Sequence, residues 1–550
     1  MKICVFLGWF LWFGGSVFSQ SIGSIDPVSL EIRNILESST PESSVSVGEE
    51  KLQQYHELIE FYTNRAFAPV WPDGRHGHRA VKDLLEQIED SKYDGLTPSS
   101  YHLYIVKEII TSFDAGKDIQ NPVHRAYIDL VLSDAFLSLA HDLYLGKVSQ
   151  EGLQNSWEIV PKRMKRSFST LLEEAISSGK LKERLVSLWP RYQVYRSMRK
   201  NMKQYFSMAE TMEEPWDKMR GKTIKVNEEN KLIPEVRERL QYWGDLDREE
   251  GSEGNHYDSA LFEGVKRFQK RNGLDADGVI GKDTYTALNE DPASLIQKVA
   301  VNMERLRWLP DTVLEGRFVM VNIANFQLDY LQDNGLDTVF TSRVIVGREY
   351  HTTPVFNGEM AYIVLSPTWT VPSSIIRREM IPKIKKDVSY LSRNHLKILT
   401  YAGKEVSPSS IDWSKASGGN FPYMIRQSSG AFNSLGQAKF IFPNKHNVYI
   451  HDTPTKSLFS RDVRAFSHGC IRIQKPAEFA AVLLEDDPKW DMERIREGMN
   501  SGQEKTVMLK KKVPVVLIYL TFWADPAGKA YLRKDIYERD EALIRALMLD

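Results

Sequence analysis

Only two of the 550 residues are cysteines, Cys4 and Cys470, and the second lies in "RAFSHGCIRI" directly after Ser467, His468 and Gly469. A thiol beside an imidazole and a glycine could be a nucleophile, a metal ligand or an ordinary buried cysteine, and a single cysteine or histidine taken alone is more often a packing residue. Upstream, "NVYIHD" reads as a strand that turns Tyr449 and His451 to one face and Val448 and Ile450 to the other. His451 precedes Cys470 by nineteen residues, enough for a loop that brings thiol and imidazole together. That meeting has a chemical use, because a free thiol titrates near about 8.5 and a neighbouring imidazole stabilises the thiolate and then handles protons. Gly469 has no side chain to obstruct it, so its N–H and that of Cys470 can approach a developing oxyanion, where one donor is worth about 3 kcal/mol. Arg472 shares the Cys470 face if a strand begins at the cysteine, and could either anchor a substrate carboxylate or brace the loop.

Two rival chemistries use the same residues. His451, His468 and Cys470 could hold a catalytic zinc, with Asp452 as the one evident carboxylate to orient them. A papain-like endopeptidase usually places its cysteine before its histidine, the reverse of the order here.

The elements that must position these groups follow from composition and period. The opening "MKICVFLGWFLWFGGSVFSQS" has Lys2 and then an uncharged apolar run from Ile3 to Phe18, the pattern of a secretory signal peptide over residues 1–19 with Gln20 as the mature N-terminus. A retained anchor is the alternative, although the run is shorter than the ~20 residues that usually span a bilayer. Cleavage removes Cys4 and leaves Cys470 alone in an exported protein, which excludes an intramolecular disulfide. An apolar fraction of 42%, a charged fraction of 26% and 72 basic against 73 acidic residues describe several ordinary globular domains. Nothing in that balance points to a nucleic-acid partner.

Residues 20–50 ("ESSTPESSVSVGEE") read as a flexible leader. Helical spacing dominates 51–225, whose histidines, including His76, His78 and His141, lack partners at metal-ligand spacing. A compact helical unit follows at 230–290, in which Asp275, Asp277 and Gly278 miss the calcium-loop register, since Thr284 stands where a glutamate is needed. After a helical connector at 291–308 the period switches to two, and a β-rich domain is expected over 315–522. A charged helix and polar loop at 373–425 interrupt it as a capping insertion. Trp369, Trp413, Phe421 and Tyr423 could line a groove there, but aromatic residues are more often core. Residues 523–550 read as a charged tail. The fold class is multidomain α+β: a helical N-terminal scaffold, a small three-helix domain and a mostly-β catalytic domain with its inserted cap.

Two stretches carry family resemblances. "VKRFQKRNGLDADGVIGKDTYTALN" resembles the type 1 peptidoglycan-binding domain. His451, then Ser467-His468-Gly469-Cys470, then Arg472 resembles the signature of the YkuD-type L,D-transpeptidases, and with "FYTNRAFAPVW" and "SPTWTVP" the chain beyond residue 50 is similar to their large YcbB-like branch. The resemblance implies Cys470 as nucleophile and His451 as base, with the Gly469 and Cys470 amides and the Tyr449 hydroxyl at the oxyanion. Some members of that branch carry serine in place of His468, so His468 is given a supporting role, and Ser467 and Arg472 are auxiliaries. It implies 3-to-3 cross-linking of donor and acceptor peptidoglycan stem peptides through a thioester, no metal or organic cofactor, and acylation by carbapenems. It also implies export to the periplasm or cell envelope, with membrane contact only through an uncleaved N-terminal segment. L,D-carboxypeptidase or D-amino-acid exchange at the same site, or a catalytically silent wall-binding scaffold, are the competing functions.

Overall fold

A computed structural model describes residues 26–548 except 39–45, 48–49, 72–73, 116–119, 151–156, 161, 163, 165, 213, 215, 249–253, 312–314, 336 and 418–420. The signal-peptide reading, with Cys4 and the Gln20 terminus, lies outside these residues. Among the described residues no helix is long and apolar enough to cross a membrane.

The leader expectation needs correcting. Pro27–Glu37 is an α-helix, capped by the Asp26 carboxylate on the Ser29 N–H, with Pro27 at its first turn. Val28, Ile32 and Leu36 recur every four residues and are buried against the helical domain. That domain is centred on Pro122–Leu145, a helix apolar on all sides and buried along most of its length. Its few polar residues hold the surrounding chain. Asp129 accepts hydrogen bonds from the Val70 and Trp71 amides and the Tyr62 hydroxyl, while the Trp71 indole donates to Ser133. The stretch "FYTNRAFAPVW" is therefore the end of the Tyr55–Asn64 helix, a turn at Arg65–Phe67 and a short segment to Trp71, tied to buried side chains of the Pro122–Leu145 helix.

The small helical unit consists of Ile233–Tyr242, Ser259–Arg271 and Lys282–Leu288. It begins upstream of residue 230, because Met219 and Ile224 belong to its core and Ile224 forms a backbone bridge with Ile280.

The segment read as a connector is an interior helix, Pro292–Arg307. Asn302, Glu304, Arg305 and Arg307 are all buried, and each is bonded to a different part of the chain. Asn302 meets Thr521, Arg305 meets Asp540 at 2.6 Å, and Glu304 accepts the Val148 N–H. Arg307 bonds Glu304, the Asp94 carbonyl and the Tyr195 hydroxyl. Charges that look solvated in sequence are here the pins between the helical domain and the β-domain.

Eight strands of the β-domain close into a ring. In spatial order they are Ala438–Ile441, Ile450–His451, Ile471–Ile473, Asp337–Gly347, Gln327–Gln332, Phe318–Asn322, Lys505–Ile518 and Val355–Leu365, and the last pairs back with the first. Trp157–Glu158, from the N-terminal half of the chain, adds a parallel strand to Val355–Phe356. The 373–425 insertion folds on its own core, including Ile376, Ile384, Ile398 and Ile425, with Trp369, Trp413, Phe421 and Tyr423 packed against that core. Its sheet starts earlier than expected, at Trp369–Thr370, which pairs with Arg426–Gln427. Pro382 has no N–H to offer the Arg378 carbonyl, and just before it the helix widens to a π-turn over Ile376–Met380, closed by Ile381 N–H on the Ile376 carbonyl.

Residues 523–548 do not form a tail either. Phe522–Ala524 and Ala530–Leu532 make a hairpin, and Asp540–Met548 is a helix whose Leu543 and Leu547 join the main core.

Candidate active site

Alternation in the Ile450–His451 strand and its neighbours sorts the side chains between the two faces of the sheet. Phe440, Ile450, Ile471 and Ile473 go inward, where Phe440 packs on Phe479. The other face carries the chemistry. Lys439 is the register partner of His451, and His451 of Arg472, so the three form one row across three strands. Tyr449 and Cys470 lie two residues before His451 and Arg472, and the Tyr449 carbonyl accepts the Ile471 N–H. Thiol and imidazole are thus diagonal neighbours on one face.

His451 is buried, and its Nδ1–H donates to the Asp452 carbonyl at 2.5 Å. This bond fixes the tautomer and leaves Nε2 as the basic nitrogen. Burial and the adjacent Arg472 charge, with a further contribution from Lys439, push the imidazole down to about 3, against the partial compensation of the Asp452 and Leu435 carbonyls. The resting His451 is neutral. The Asp452 carboxylate does not orient it, being bound instead to Lys456 and the Gln437 amide.

Burial raises the Cys470 thiol above its ordinary value, opposed by hydrogen bonds from the Tyr449 backbone and hydroxyl and by the Lys439 and Arg472 charges. The thiol donates to the Asn447 carbonyl at 3.7 Å. With the imidazole pushed down and the thiol pushed up, both shifts oppose a preformed thiolate–imidazolium pair.

The 467–470 turn is held from three sides. The Ser467 hydroxyl accepts the Gly469 N–H at 3.1 Å and donates to the Cys470 carbonyl at 2.6 Å. Thr353 donates to the Gly469 carbonyl at 2.9 Å and accepts the Gly347 N–H, while the Tyr537 hydroxyl donates to the Gly347 carbonyl. Gly469 sits at φ +112°, a conformation that side chains oppose. The expectation that the Gly469 N–H faces an oxyanion is corrected by this geometry, because that amide is already spent on Ser467. Ser467→Ala leaves it buried without a partner, a cost of about 1–3 kcal/mol. Thiol acylation by an activated ester should slow at least tenfold in this variant, read as adduct mass against time, while Ser467→Thr retains most of the rate.

His468 points away from His451. Its Nε2 lies 2.5 Å from Glu379 of the cap and 2.8 Å from the Arg348 guanidinium, serving one of them at a time, and its ring lies 5.2 Å from that of His351. A guanidinium at that distance opposes a metal cation on the same nitrogen, so the three-ligand zinc arrangement with His451 and Cys470 does not assemble.

Sequence reasoning missed Lys439, Asn444 and Glu158. Asn444 accepts the His446 and Val448 amides and donates to the Phe442 and Val448 carbonyls, shaping the loop that carries Asn447 and Tyr449. Glu158, arriving from the N-terminal half of the chain, forms an ion pair with Lys445 of that loop and lies 3.4 Å from His446. The local signal for Lys439 was its place between buried Ala438 and Phe440, but its facing depends on a strand register that no short stretch encodes.

Residues 316–499 match the family model described as "L,D-transpeptidase catalytic domain". Residues 56–202 match "Scaffold domain" and 229–288 match "Putative peptidoglycan binding domain". Three separate segments thus match family models, for a scaffold domain, a peptidoglycan-binding domain and a YkuD L,D-transpeptidase catalytic domain in that order along the chain, each over less than half of its length. A curated protein of Haemophilus influenzae named "Putative L,D-transpeptidase" is 35% identical over 251 residues, 46% of this chain, so the chain spans about half the length of the relative it matches, 50%. A solved L,D-transpeptidase structure from Xylanimonas cellulosilytica matches at 15% identity, covering 55% of this chain and 100% of its own, with a TM-score of 0.17.

Proposed function

We propose that this protein forms 3-to-3 cross-links in peptidoglycan through a thioester on Cys470. The observation that carries this reading is the pairing of a thiol with a neutral, tautomer-fixed imidazole as diagonal strand neighbours, within a transpeptidase-family domain beside a peptidoglycan-binding domain. In the first step the Cys470 side chain rotates from the Asn447 carbonyl toward His451 and gives up its proton to Nε2. Sulfur attacks the carbonyl of the third residue of a tetrapeptide donor. The C–S bond forms, the amide C–N bond breaks, and His451 returns the proton to the departing D-alanine amine. The Tyr449 hydroxyl and the Cys470 amide hold the oxyanion. An acceptor amine from a neighbouring stem then attacks the thioester and regenerates the thiol. Work on an insoluble polymer favours a tethering domain, which raises the local concentration of substrate, and places the protein at the cell wall.

The test is digestion of purified peptidoglycan after incubation with the protein. Wild type should yield 3-to-3 dimers and Cys470→Ala none. A carbapenem should add its mass to the wild type and leave Cys470→Ala unmodified. Wild-type protein that left every stem unchanged would overturn the reading.

A further inference from the structure

The row Lys439–His451–Arg472 places two cations on either side of the imidazole, on the face that bears the thiol. Neither forms an ion pair within 4 Å among the described residues. The Lys439 ammonium lies 4.1 Å from the centroid of the Tyr449 ring, a cation–π contact that positions the charge without neutralising it. Glu504, the carboxylate whose charge Lys439 feels, is engaged by the Thr368 amide and hydroxyl. The Arg472 Nε is buried without a hydrogen-bond partner among the described residues. Both cations interact electrostatically with the Cys470 sulfur, and both are partly open to solvent. Two uncompensated charges beside a nucleophile cost stability, and an anion delivered by the substrate would offset that cost.

The chemistry of the donor supplies such an anion at a fixed distance. When one residue follows the scissile carbonyl, its free carboxylate lies one residue away, within about 3.6 Å of chain. We propose that Lys439 and Arg472 together bind the free C-terminal carboxylate of the donor, making Lys439 a specificity-determining residue that selects donors ending one residue past the bond to be broken. The proposal rests on the transpeptidase reading for its natural substrate, but the anion site itself does not. A longer donor sets a neutral peptide group between the two cations, and a C-terminal amide removes the charge they await.

Two measurements separate the proposal from the reading beneath it. The first is alkylation of Cys470 in the full-length protein by iodoacetate and by iodoacetamide, reagents that differ in the carboxylate, followed by intact mass. The iodoacetate-to-iodoacetamide rate ratio should fall about fivefold or more in Lys439→Met and return in Lys439→Arg, the fold-change of one unit charge at about 4 Å. Equal slowing of both reagents would mean that Lys439 acts only on thiol ionisation, and would overturn the carboxylate site. The second compares a tetrapeptide donor with its C-terminal amide. Wild type should prefer the free acid, mainly through KM, and Lys439→Met should lose that preference by a similar factor. An unchanged alkylation ratio with both donors processed equally sinks the proposal and leaves the transpeptidase intact. A changed ratio with neither donor processed supports the anion site and sinks the transpeptidase reading.

Discussion

His451→Ala is expected to slow acylation of Cys470 by a peptide donor by about 10²–10⁴-fold, the usual contribution of a positioned general base. The pH profile carries more information than the magnitude. With its folded value near 3, His451 stays neutral across the range in which an ordinary histidine protonates, so wild-type acylation should show no acidic limb between pH 5 and 7 from this group. The thiol is shifted the other way by burial, so alkylation of the free enzyme by iodoacetamide should keep rising with pH beyond the ordinary cysteine value. A plateau already reached at pH 6 would mean a thiolate–imidazolium pair and would refute the general-base assignment. The same depressed value links to stability. The unfolded imidazole binds a proton below about 6.5 and the folded one does not, so stability contributed by neutral His451 is complete above about 6.5 and is lost as the pH falls toward 3. His451→Gln should flatten that part of the urea-unfolding profile.

Arg307→Met should cost about 3–5 kcal/mol of unfolding free energy, the loss typical of breaking a buried ion pair from one side. Both Arg307 and Glu304 are 0% exposed, and removal of the guanidinium strands the carboxylate with the Val148 N–H as its remaining polar contact among those described above. The double variant Glu304→Leu/Arg307→Met should regain much of the loss, because an apolar pair of similar volume carries no desolvation penalty. Urea midpoints of the single and double variants measure this directly; equal midpoints would show that the ion pair is not the cause.

Why were some of these features legible in sequence and others not? The Cys470 site was, since its parts are local: a strand whose alternation sets Tyr449 beside His451, and a four-residue turn that ends at the thiol. Lys439 was hidden because it joins the site through pairing with His451, and register is a property of two strands. The Pro292–Arg307 helix misled because "MERLR" has the composition of a solvated surface. Its partners, the Asp94 carbonyl and Asp540, lie 213 and 235 residues away. Composition also misled at both ends. Ser, Glu and Pro around residue 40 masked the four-residue spacing of Val28, Ile32 and Leu36, and the charges after residue 523 masked Leu543 and Leu547.

The capping insertion leaves and re-enters the barrel side by side, with Trp369 and Thr370 hydrogen-bonded to Gln427 and Arg426. It is a body on a double-stranded root, and where Glu379 meets His468 the groups are partly exposed, a contact of the kind worth about 0–1 kcal/mol. Glu379 also lies 3.6 Å from Arg348, so the insertion meets the 467–470 turn through one carboxylate. If the substrate is a wall meshwork, as proposed above, it has no free end to thread, and an insertion rooted on one seam leaves the side opposite that seam as the approach to the Cys470 turn.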